Sequence, residues 1–302
     1  MSRTIVAALI AMQAALAQAQ APEEVKVETE EVAPGVYVLY GRGGNIGVSA
    51  GADGVFLIDD QYANMTAPVE AALAKLAPTP PRFVINTHWH GDHTGGNENL
   101  AARGSVIVAH DNVRARMSAE QFSEFFQRAT PPSPAAALPV VTFSDNLSLH
   151  VNGDELRGVH VAQAHTDGDV FIHFRKANVI HTGDLVFHAM YPFVDLDSGG
   201  SVAGVIAAVD RMLALADDRT RIIPGHGRVT DRKGLEEYRK LLVTTRERMR
   251  ERVRAGRTLD QVLAEKPFAD FDGTLAWQFI TAERYIQILY RDATRELSPG
   301  RT

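Results

Sequence analysis

The chain has 302 residues, 45% of them hydrophobic, which suffices for one sizeable core. It contains no cysteine, which excludes disulfide bonds and thiolate metal ligands. Its net charge of −6 at pH 7 disfavours nucleic acid as a partner.

Residues 1–19 have the pattern of a secretory signal peptide. Arg3 supplies a positive charge, residues 5–17 are almost wholly apolar, and Ala17-Gln18-Ala19 has the small-x-small form of a cleavage site. The apolar run is shorter than the about 20 residues of a membrane-spanning helix. We therefore predict cleavage after Ala19, a periplasmic or secreted location, and no integral membrane segment in the mature chain. An uncleaved anchor is the alternative. Residues 20–302 are predicted to form a single domain that ends in helices.

Residues 25–60 alternate apolar and polar positions between glycine-rich turns, which predicts a β-meander. Residues 41–45 lack the glycine spacing of a phosphate loop and open no helix, so a mobile hairpin turn is the interpretation. Asp59 and Asp60 end the last strand of the meander. A carboxylate there either caps a helix or orients a metal-bound histidine, and the sequence leaves both open.

Strands and helices alternate in the next part of the chain. The pattern predicts a helix over residues 68–76, strands over 83–86 and 106–109, and one or two helices over 111–126. A proline-rich loop at 130–134 follows, and it is interpreted as a connector or as the border of a cleft.

The most informative segment follows the strand at 83–86. Residues 88–93 read His-Trp-His-Gly-Asp-His. In an extended chain, residues two apart point the same way, so His88 and His90 can bind one cation while Asp92 and His93 face elsewhere. One strand end can thus serve two metal ions. The alternative is a solvated, histidine-rich turn.

Three further candidate ligands also lie at strand ends. Residues 140–182 return to a strand pattern, and His165 lies in a polar turn between two of these strands. It is the candidate third ligand of the first metal. Asp184 follows another strand and can bridge two cations, and His226 lies in a glycine turn after the strand at 221–223.

The remaining histidines of this half are interpreted separately. His150, His160 and His173 occupy alternating strand positions and are predicted to be ordinary sheet residues. His181 and His188 are close in sequence to Asp184, and they are candidates for supporting a ligand or facing the substrate.

The last third of the chain is predicted to be mainly helical. The loop at 191–201 either walls a pocket or connects to a Ser-capped helix over 202–215. Residues 235–254 form an amphipathic helix whose arginines alternate with glutamates, which favours a solvated face over a membrane or acidic partner. Residues 275–290 are predicted to be a closing helix that packs its aromatic side chains on the core.

The combined set of strand-end ligands resembles the metallo-β-lactamase superfamily over roughly residues 36–227. The resemblance implies an α/β fold, an αββα sandwich, with metals at one edge between the two sheets. It also implies two zinc ions per chain. Their ligands would be His88, His90 and His165 for the first zinc, and Asp92, His93 and His226 for the second, with Asp184 bridging.

Two positions depart from the β-lactamases with three histidines on the first zinc. Those enzymes usually carry a cysteine where this chain has Asp184, and a substrate-binding lysine where it has Phe187. Asp184 is instead similar to the bridging aspartate of glyoxalase II and of lactonases. The resemblance therefore identifies the superfamily better than it identifies the substrate.

The resemblance implies a dinuclear zinc hydrolase in which a hydroxide between the metals attacks the carbonyl of a small-molecule ester, thioester or lactam. Asp92 is the predicted catalytic residue, because a metal-ligating carboxylate there can also orient the hydroxide. β-Lactamase activity is one candidate, and a glyoxalase II-like thioesterase or lactonase is the alternative. An iron-dependent oxidoreductase or sulfur dioxygenase of this fold and a non-catalytic metal-binding protein are the rivals. The sequence leaves the oligomeric state open.

Overall fold

A computed structural model describes residues 26–297, so the predicted signal peptide lies outside the described residues. The strands are β1 (Glu28–Ala33), β2 (Val36–Tyr40), β3 (Ile46–Gly51), β4 (Gly54–Ile58), β5 (Pro81–Ile85), β6 (Val106–His110), β7 (Gln121–Ser123), β8 (Arg128–Thr130), β9 (Val141–Phe143), β10 (Asn146–Val151), β11 (Asp154–His160), β12 (Val170–Phe174), β13 (Val179–His181), β14 (Arg221–Ile223) and β15 (Thr230–Asp231). The α-helices are α1 (Thr66–Leu73), α2 (Gly91–Thr94), α3 (Asn97–Ala101), α4 (Asp111–Met117), α5 (Val202–Leu215), α6 (Arg232–Arg254), α7 (Leu259–Glu265), α8 (Ala269–Leu275) and α9 (Ala282–Leu297).

The strands form two large sheets. The first has the order β1-β2-β3-β4-β5-β6-β9, and the second has the order β10-β11-β12-β13-β14-β15. Each begins as an antiparallel meander, as predicted for residues 25–60. The first sheet then gains the parallel strands β5, β6 and β9, and the second gains the parallel strand β14, to which β15 pairs antiparallel. The two halves of the chain therefore build similar sheets, which share one sandwich.

The inner strands of the first sheet, β2 to β6, are mainly apolar on both faces because both faces are covered there. Val38 and Ile58 point between the sheets, where they pack with Ile172 of the second sheet. Their neighbours Leu39 and Leu57 point outward and pack with the segment that contains α1. Helices α5, α6 and α9 cover the outer face of the second sheet. The layers are therefore α, β, β, α, which confirms the predicted sandwich.

The sequence prediction for residues 111–126 was wrong in its second half. Helix α4 ends at Met117, and β7 and β8 form a separate two-stranded hairpin. The aromatic rings of Phe125 and Phe126 pack on Phe193, with centroids 6.0 and 5.3 Å apart. These tertiary contacts replace the helical continuation that local propensity favoured.

The predicted closing helix over 275–290 is interrupted. Helix α8 ends at Leu275 and α9 begins at Ala282. Between them, the indole Nε1–H of Trp277 donates to the carbonyl of Tyr191 at 2.9 Å, and the amide of Tyr191 donates to the carbonyl of Leu275 at 2.8 Å. These bonds hold Trp277 outside a helix, beside the loop at 191–201.

The arginine-rich helix α6 is ion-paired on the side that was predicted to be solvated. Arg246 pairs with Glu296 of α9 at 2.9 Å, and Arg248 pairs with Asp270 of α8 at 2.6 Å. These contacts join α6 to the other C-terminal helices. Between residues 26 and 297, no helix is long and apolar enough to cross a membrane.

Asp292 of α9 predicts a pH dependence of stability. Its buried carboxylate accepts from the backbone N–H of Val202, at the start of α5, at 3.2 Å. Burial raises the pKa of Asp292 to about 6, against the opposing effects of this hydrogen bond and of Arg246. The pKa of Asp292 in the folded state exceeds its unfolded value of about 3.9. The contribution of Asp292 to the free energy of unfolding is therefore fully present below about pH 3.9, and it is lost as the pH rises through about 6.

We therefore expect Asp292→Asn, which keeps an acceptor for Val202, to gain stability relative to the wild type as the pH rises. The difference in the free energy of unfolding, variant minus wild type, should be larger at pH 8 than at pH 5 by about 1 kcal/mol. Urea unfolding of both proteins at the two pH values measures this difference. An equal difference at both pH values would show that Asp292 does not titrate in this window.

Candidate metal centre

Three histidines from two separate loops converge at one edge of the sandwich. His88 and His90 follow β5, and His165 lies between β11 and β12. The Nε2 atoms of His88 and His165 lie 3.1 and 3.0 Å from Nδ1 of His90. Nitrogen ligands 2.0–2.1 Å from a tetrahedral zinc lie about 3.3 Å apart. The three rings stand nearly perpendicular to one another, so their nitrogens point to one position instead of stacking.

A second set of donors lies beside the first. Oδ2 of Asp92 lies 3.5 Å from Nε2 of His93 and 3.3 Å from Nε2 of His226. His93 is fully buried, whereas the Asp92 and His226 side chains are about one-fifth exposed, so the set opens toward solvent on one side. The structure thus brings these three predicted residues together.

Asp184 lies between the two sets and presents one oxygen to each. Its Oδ2 lies 3.6 Å from Nε2 of His165 and 3.9 Å from that of His88. Its Oδ1 lies 3.0 Å from Nε2 of His93 and 3.4 Å from that of His226. This is the arrangement expected of a bridging carboxylate. All seven predicted site residues are therefore within one cluster.

Two buried atoms in the cluster lack a partner. Nε2 of His93 and Oδ1 of Asp184 make no acceptable hydrogen bond with any residue in the described part of the chain. Unpaired buried polar atoms are costly, and they are rare in folded proteins. The two atoms lie 3.0 Å from each other without forming an acceptable hydrogen bond, and a cation beside them would satisfy both. The cluster therefore fits a metal centre.

Asp59, after β4, orients the histidines of the first loop. Its carboxylate accepts from His93 Nδ1–H at 2.8 Å and from the hydroxyl of Thr87 at 2.8 Å, and Thr87 Oγ1 lies 3.0 Å from Nδ1 of His88. Asp59 has φ of 65°, which is strained for a residue other than glycine. Its neighbour Asp60 accepts from the backbone N–H of Gly96, before α3. The sequence left open whether Asp59 and Asp60 cap a helix or orient a histidine, and Asp59 orients His93.

The loop at 191–201 supports the first donor set. Oδ2 of Asp195 accepts from Nε2–H of His90 at 3.0 Å and from the hydroxyl of Ser198 at 2.6 Å. The carbonyl of Phe193 accepts from Nδ1–H of His165 at 2.9 Å. Such bonds fix which ring nitrogen is free to bind metal. The loop also ends in Ser201, which caps α5, and its residues Phe193, Asp195 and Ser198 line the adjoining pocket, so both predicted roles of the loop are present.

The supporting role of Asp195 was not predicted. A local signal was present, because acidic and aromatic residues follow Asp184 closely in the sequence. Its pairing with His90, 105 residues away, is a tertiary contact that no spacing indicates.

The turn at 41–45 is held against the cluster, although the sequence suggested a mobile turn. The backbone N–H of Gly44 donates to the carbonyl of Asp92 at 3.0 Å. The side-chain amide of Asn45 donates to the carbonyls of Pro224 and Gly227, both at 2.8 Å. The turn thus ties the loops of the second donor set together.

The cluster's own charges shift its pKa values. Burial alone would raise the pKa of Asp92, but the positive charge of His93 and a hydrogen bond from His226 outweigh it and lower this pKa to about 2. Burial likewise disfavours the protonated form of His226, but Asp184 and Asp92 raise its pKa to about 9. Burial lowers the pKa of His165 to about 4. Metal entry into the second set must therefore displace protons, which makes binding weaker at low pH.

The other candidate histidines lie outside the donor sets. Nε2–H of His181 donates to the carbonyl of Asn45 at 3.0 Å, so His181 supports the turn at 41–45. His188 bonds the carbonyl of Arg228 at 2.8 Å. His160 stacks on His110 with centroids 3.7 Å apart, and His150 and His173 are sheet residues, as predicted.

A pocket of about 700 Å³ opens beside the cluster. Asp92, Asp184 and His226 form part of its lining. Many of the other lining residues are aromatic: Tyr62, Trp89, Phe122, Phe126, Phe187, Phe193, Trp277 and Phe279. The cluster is thus accessible to a molecule the size of a small substrate.

This fold and donor set belong to a known class of protein. The family model described as the metallo-beta-lactamase superfamily matches residues 39–226, more than half of the chain. The chain therefore belongs to the metallo-β-lactamase superfamily, whose members are mostly metal-dependent hydrolases.

Curated relatives are distant. A hydroxyacylglutathione hydrolase of Nitrosococcus oceani is 27% identical over 202 residues, which cover 64% of this chain and 63% of that protein. Another, of Erythrobacter litoralis, is 26% identical over 140 residues, covering 44% of this chain and 47% of that protein. The chain thus spans about half to two thirds of the length of these relatives.

Solved structures share the fold. A metallo-beta-lactamase from Pontibacter korlensis has a TM-score of 0.60 at 18% identity, covering 72% of this chain and 99% of that one. The inverting sec-alkylsulfatase Pisa1 from Pseudomonas sp. has a TM-score of 0.66 at 20% identity, covering 91% of this chain and 51% of that one. At these identities the likeness establishes the fold alone.

Proposed function

We propose that this protein is a dinuclear zinc hydrolase that acts on the carbonyl group of a small molecule. The observation that carries the proposal is the pair of convergent donor sets that share Asp184. Histidine nitrogens and carboxylate oxygens without thiolates suit zinc. The residues that would hold the two ions are His88, His90 and His165 for one, and Asp92, His93 and His226 for the other, with Asp184 between them.

Zinc ions, when bound, supply Lewis acidity and lower the pKa of water toward about 7, so that hydroxide is available at neutral pH. The chain's residues supply orientation. Oδ2 of Asp92 faces His93 and His226, and the Asp92 side chain, which is about one-fifth exposed, also lines the pocket. The carboxylate of Asp92 is therefore placed to accept a hydrogen bond from the attacking nucleophile and to orient it. Phe187 stacks on His226 at 5.1 Å and excludes water from that side.

The role of Asp92 is tested by Asp92→Asn. The amide keeps the shape of the side chain but removes its negative charge, and we expect kcat/KM to fall by about a hundredfold or more. Hydrolysis assays of the zinc-loaded proteins measure the change, and metal analysis determines whether zinc is retained. Asp111→Asn, at an exposed site on α4, is the control and should have a kcat/KM close to that of the wild type. Undiminished turnover in Asp92→Asn would reject the proposed catalytic role.

Several classes of carbonyl substrate fit the donor sets. β-Lactamase activity is one candidate, since the fold is shared with a metallo-beta-lactamase. A thioesterase or lactonase activity is the alternative, and two observations favour it. The two curated relatives described above are hydroxyacylglutathione hydrolases, and Asp184 and Phe187 replace the cysteine and lysine usual in the β-lactamases. Parallel assays of a chromogenic cephalosporin, a thioester and a lactone discriminate between these activities.

An iron-dependent oxidoreductase or dioxygenase is the rival for the same donor set. Two complete sets of donors favour a two-metal hydrolase, because a one-iron oxygenase does not need the second set. Metal analysis of protein purified without added metal should find about two zinc ions per chain. About one iron per chain with little zinc would reject the hydrolase.

We also propose that the protein works in the periplasm or outside the cell, on the basis of the residue pattern at 1–19. Expression with these residues intact should yield a shortened protein in the periplasmic fraction. Full-length protein in the cytoplasm would contradict export.

A further inference from the structure

We infer that the substrate carries a bulky apolar group, a medium-length acyl chain or an aryl ring, that binds on an aromatic wall beside the donor sets. The inference rests on the proposed function, because it names the substrate class for that site. The aromatic wall consists of Phe126, Phe187, Phe193, Trp277 and Phe279, all of which line the pocket.

The wall is continuous. The ring of Phe193 lies 5.3 Å from Phe126 and 5.7 Å from Phe279, and Trp277 lies 5.5 Å from Phe279 and 6.4 Å from Phe187. It comes from three separate segments: the β7–β8 hairpin, the stretch after Asp184, and the break between α8 and α9.

The wall reaches a ligand of each donor set. Phe187 stacks on His226 with centroids 5.1 Å apart, and Phe193 lies 6.0 Å from His90. A carbonyl group at the donor sets would therefore place an attached apolar chain directly on the wall. A polar chain in the same position would lose hydrogen bonds to water without finding partners on the rings.

The outer part of the wall remains exposed. Phe279 is 40% exposed, and Phe122 and Tyr62, which line the same pocket, are 50% and 43% exposed. Large apolar side chains grouped in this way around a cleft are unfavourable in water and typically mark a binding surface. Core packing accounts for Phe187 and Phe193, which are buried, but it does not account for these three.

Phe187, which belongs to this wall, occupies the position where β-lactamases usually carry a substrate-binding lysine. Its ring faces His226. Phe187 is only 1% exposed, so this position lacks the cation of those enzymes, and the accessible apolar surface of the wall belongs to Phe126, Trp277 and Phe279.

The kinetic test compares acetyl and octanoyl thioesters of N-acetylcysteamine, which share one leaving group. Each methylene that becomes buried raises kcat/KM about fourfold, so burial of about three of the six added methylenes gives an octanoyl-to-acetyl ratio of about 60. We expect Phe279→Ala to reduce this ratio about fivefold to tenfold. Val140→Ala, a control at a 72% exposed apolar site on another surface, should leave the ratio unchanged.

A binding test needs no metal and no turnover. The two tryptophans of the chain, Trp89 and Trp277, both line the pocket, so intrinsic fluorescence reports on it directly. Octanamide, a neutral probe, should change the fluorescence of the metal-free protein and saturate at a concentration at least about tenfold below that of acetamide. Phe279→Ala, or Phe122→Ala if the first variant misfolds, should raise that concentration.

The outcomes separate the two proposals. Metal-dependent turnover with an octanoyl-to-acetyl ratio near one, and equal binding of the two amides, would overturn the apolar substrate class while leaving the hydrolase intact. Octanamide binding without turnover of any thioester, lactone or cephalosporin would support the apolar site and overturn the hydrolase.

Discussion

Asp184→Asn should reduce kcat/KM by about a thousandfold or more and should lower the metal content of the protein. Asp184 presents Oδ2 to His165 and Oδ1 to His93 across distances of 3.6 and 3.0 Å. An amide retains one oxygen but replaces the other by an N–H₂ group, which cannot ligate a cation and carries no charge. One donor set therefore loses a ligand, and both lose the shared negative charge.

The measurements are steady-state kinetics and metal content per chain for the wild type and the variant. Asp210→Asn, which removes an exposed ion pair with Arg239, is the matched control and should keep both values. Circular dichroism should show that the Asp184→Asn protein remains folded. Full metal content with kcat/KM within tenfold of the wild type would contradict a bridging role.

Gly44→Ala should damage the second donor set without changing any ligand. A Cβ at residue 44 would lie 2.0 Å from Cε1 and 2.3 Å from Nε2 of His93. His93 has no room to yield, because it is fully buried and its Nδ1–H bonds Asp59 at 2.8 Å. We expect at least about a hundredfold loss in activity, weaker binding of one metal, and a loss of about 1–3 kcal/mol in the free energy of unfolding.

Gly91→Ala is the control for this prediction. Gly91 lies in the same short helix, α2, as His93, but a Cβ there meets nothing within 4 Å. Metal titrations of the two variants, followed by activity and urea unfolding, separate a steric effect on His93 from a general intolerance of substitution near the site. Comparable metal affinity in both variants would show that the turn at 41–45 moves aside.

The sequence by itself identified the seven residues that the structure brings together, and it determined the class of fold. Each of the seven predicted ligands lies at or shortly after the end of a strand, and the alternating pattern of the strands is readable from local periodicity. Because strands of a sandwich end along common edges, side chains at several strand ends are brought together almost without further information. The two-residue spacing of His88 and His90 similarly predicted their convergence.

Only the tertiary structure decided what surrounds those ligands. Asp195 and His90 are 105 residues apart, and the wall that joins Phe126 to Phe279 spans more than half of the chain. Such pairs leave no periodic signal, since periodicity reflects only which face of its own element a residue occupies. For the same reason the β7–β8 hairpin and the break before α9 were predicted as helix: contacts with Phe193 and Tyr191 outweigh local propensity there.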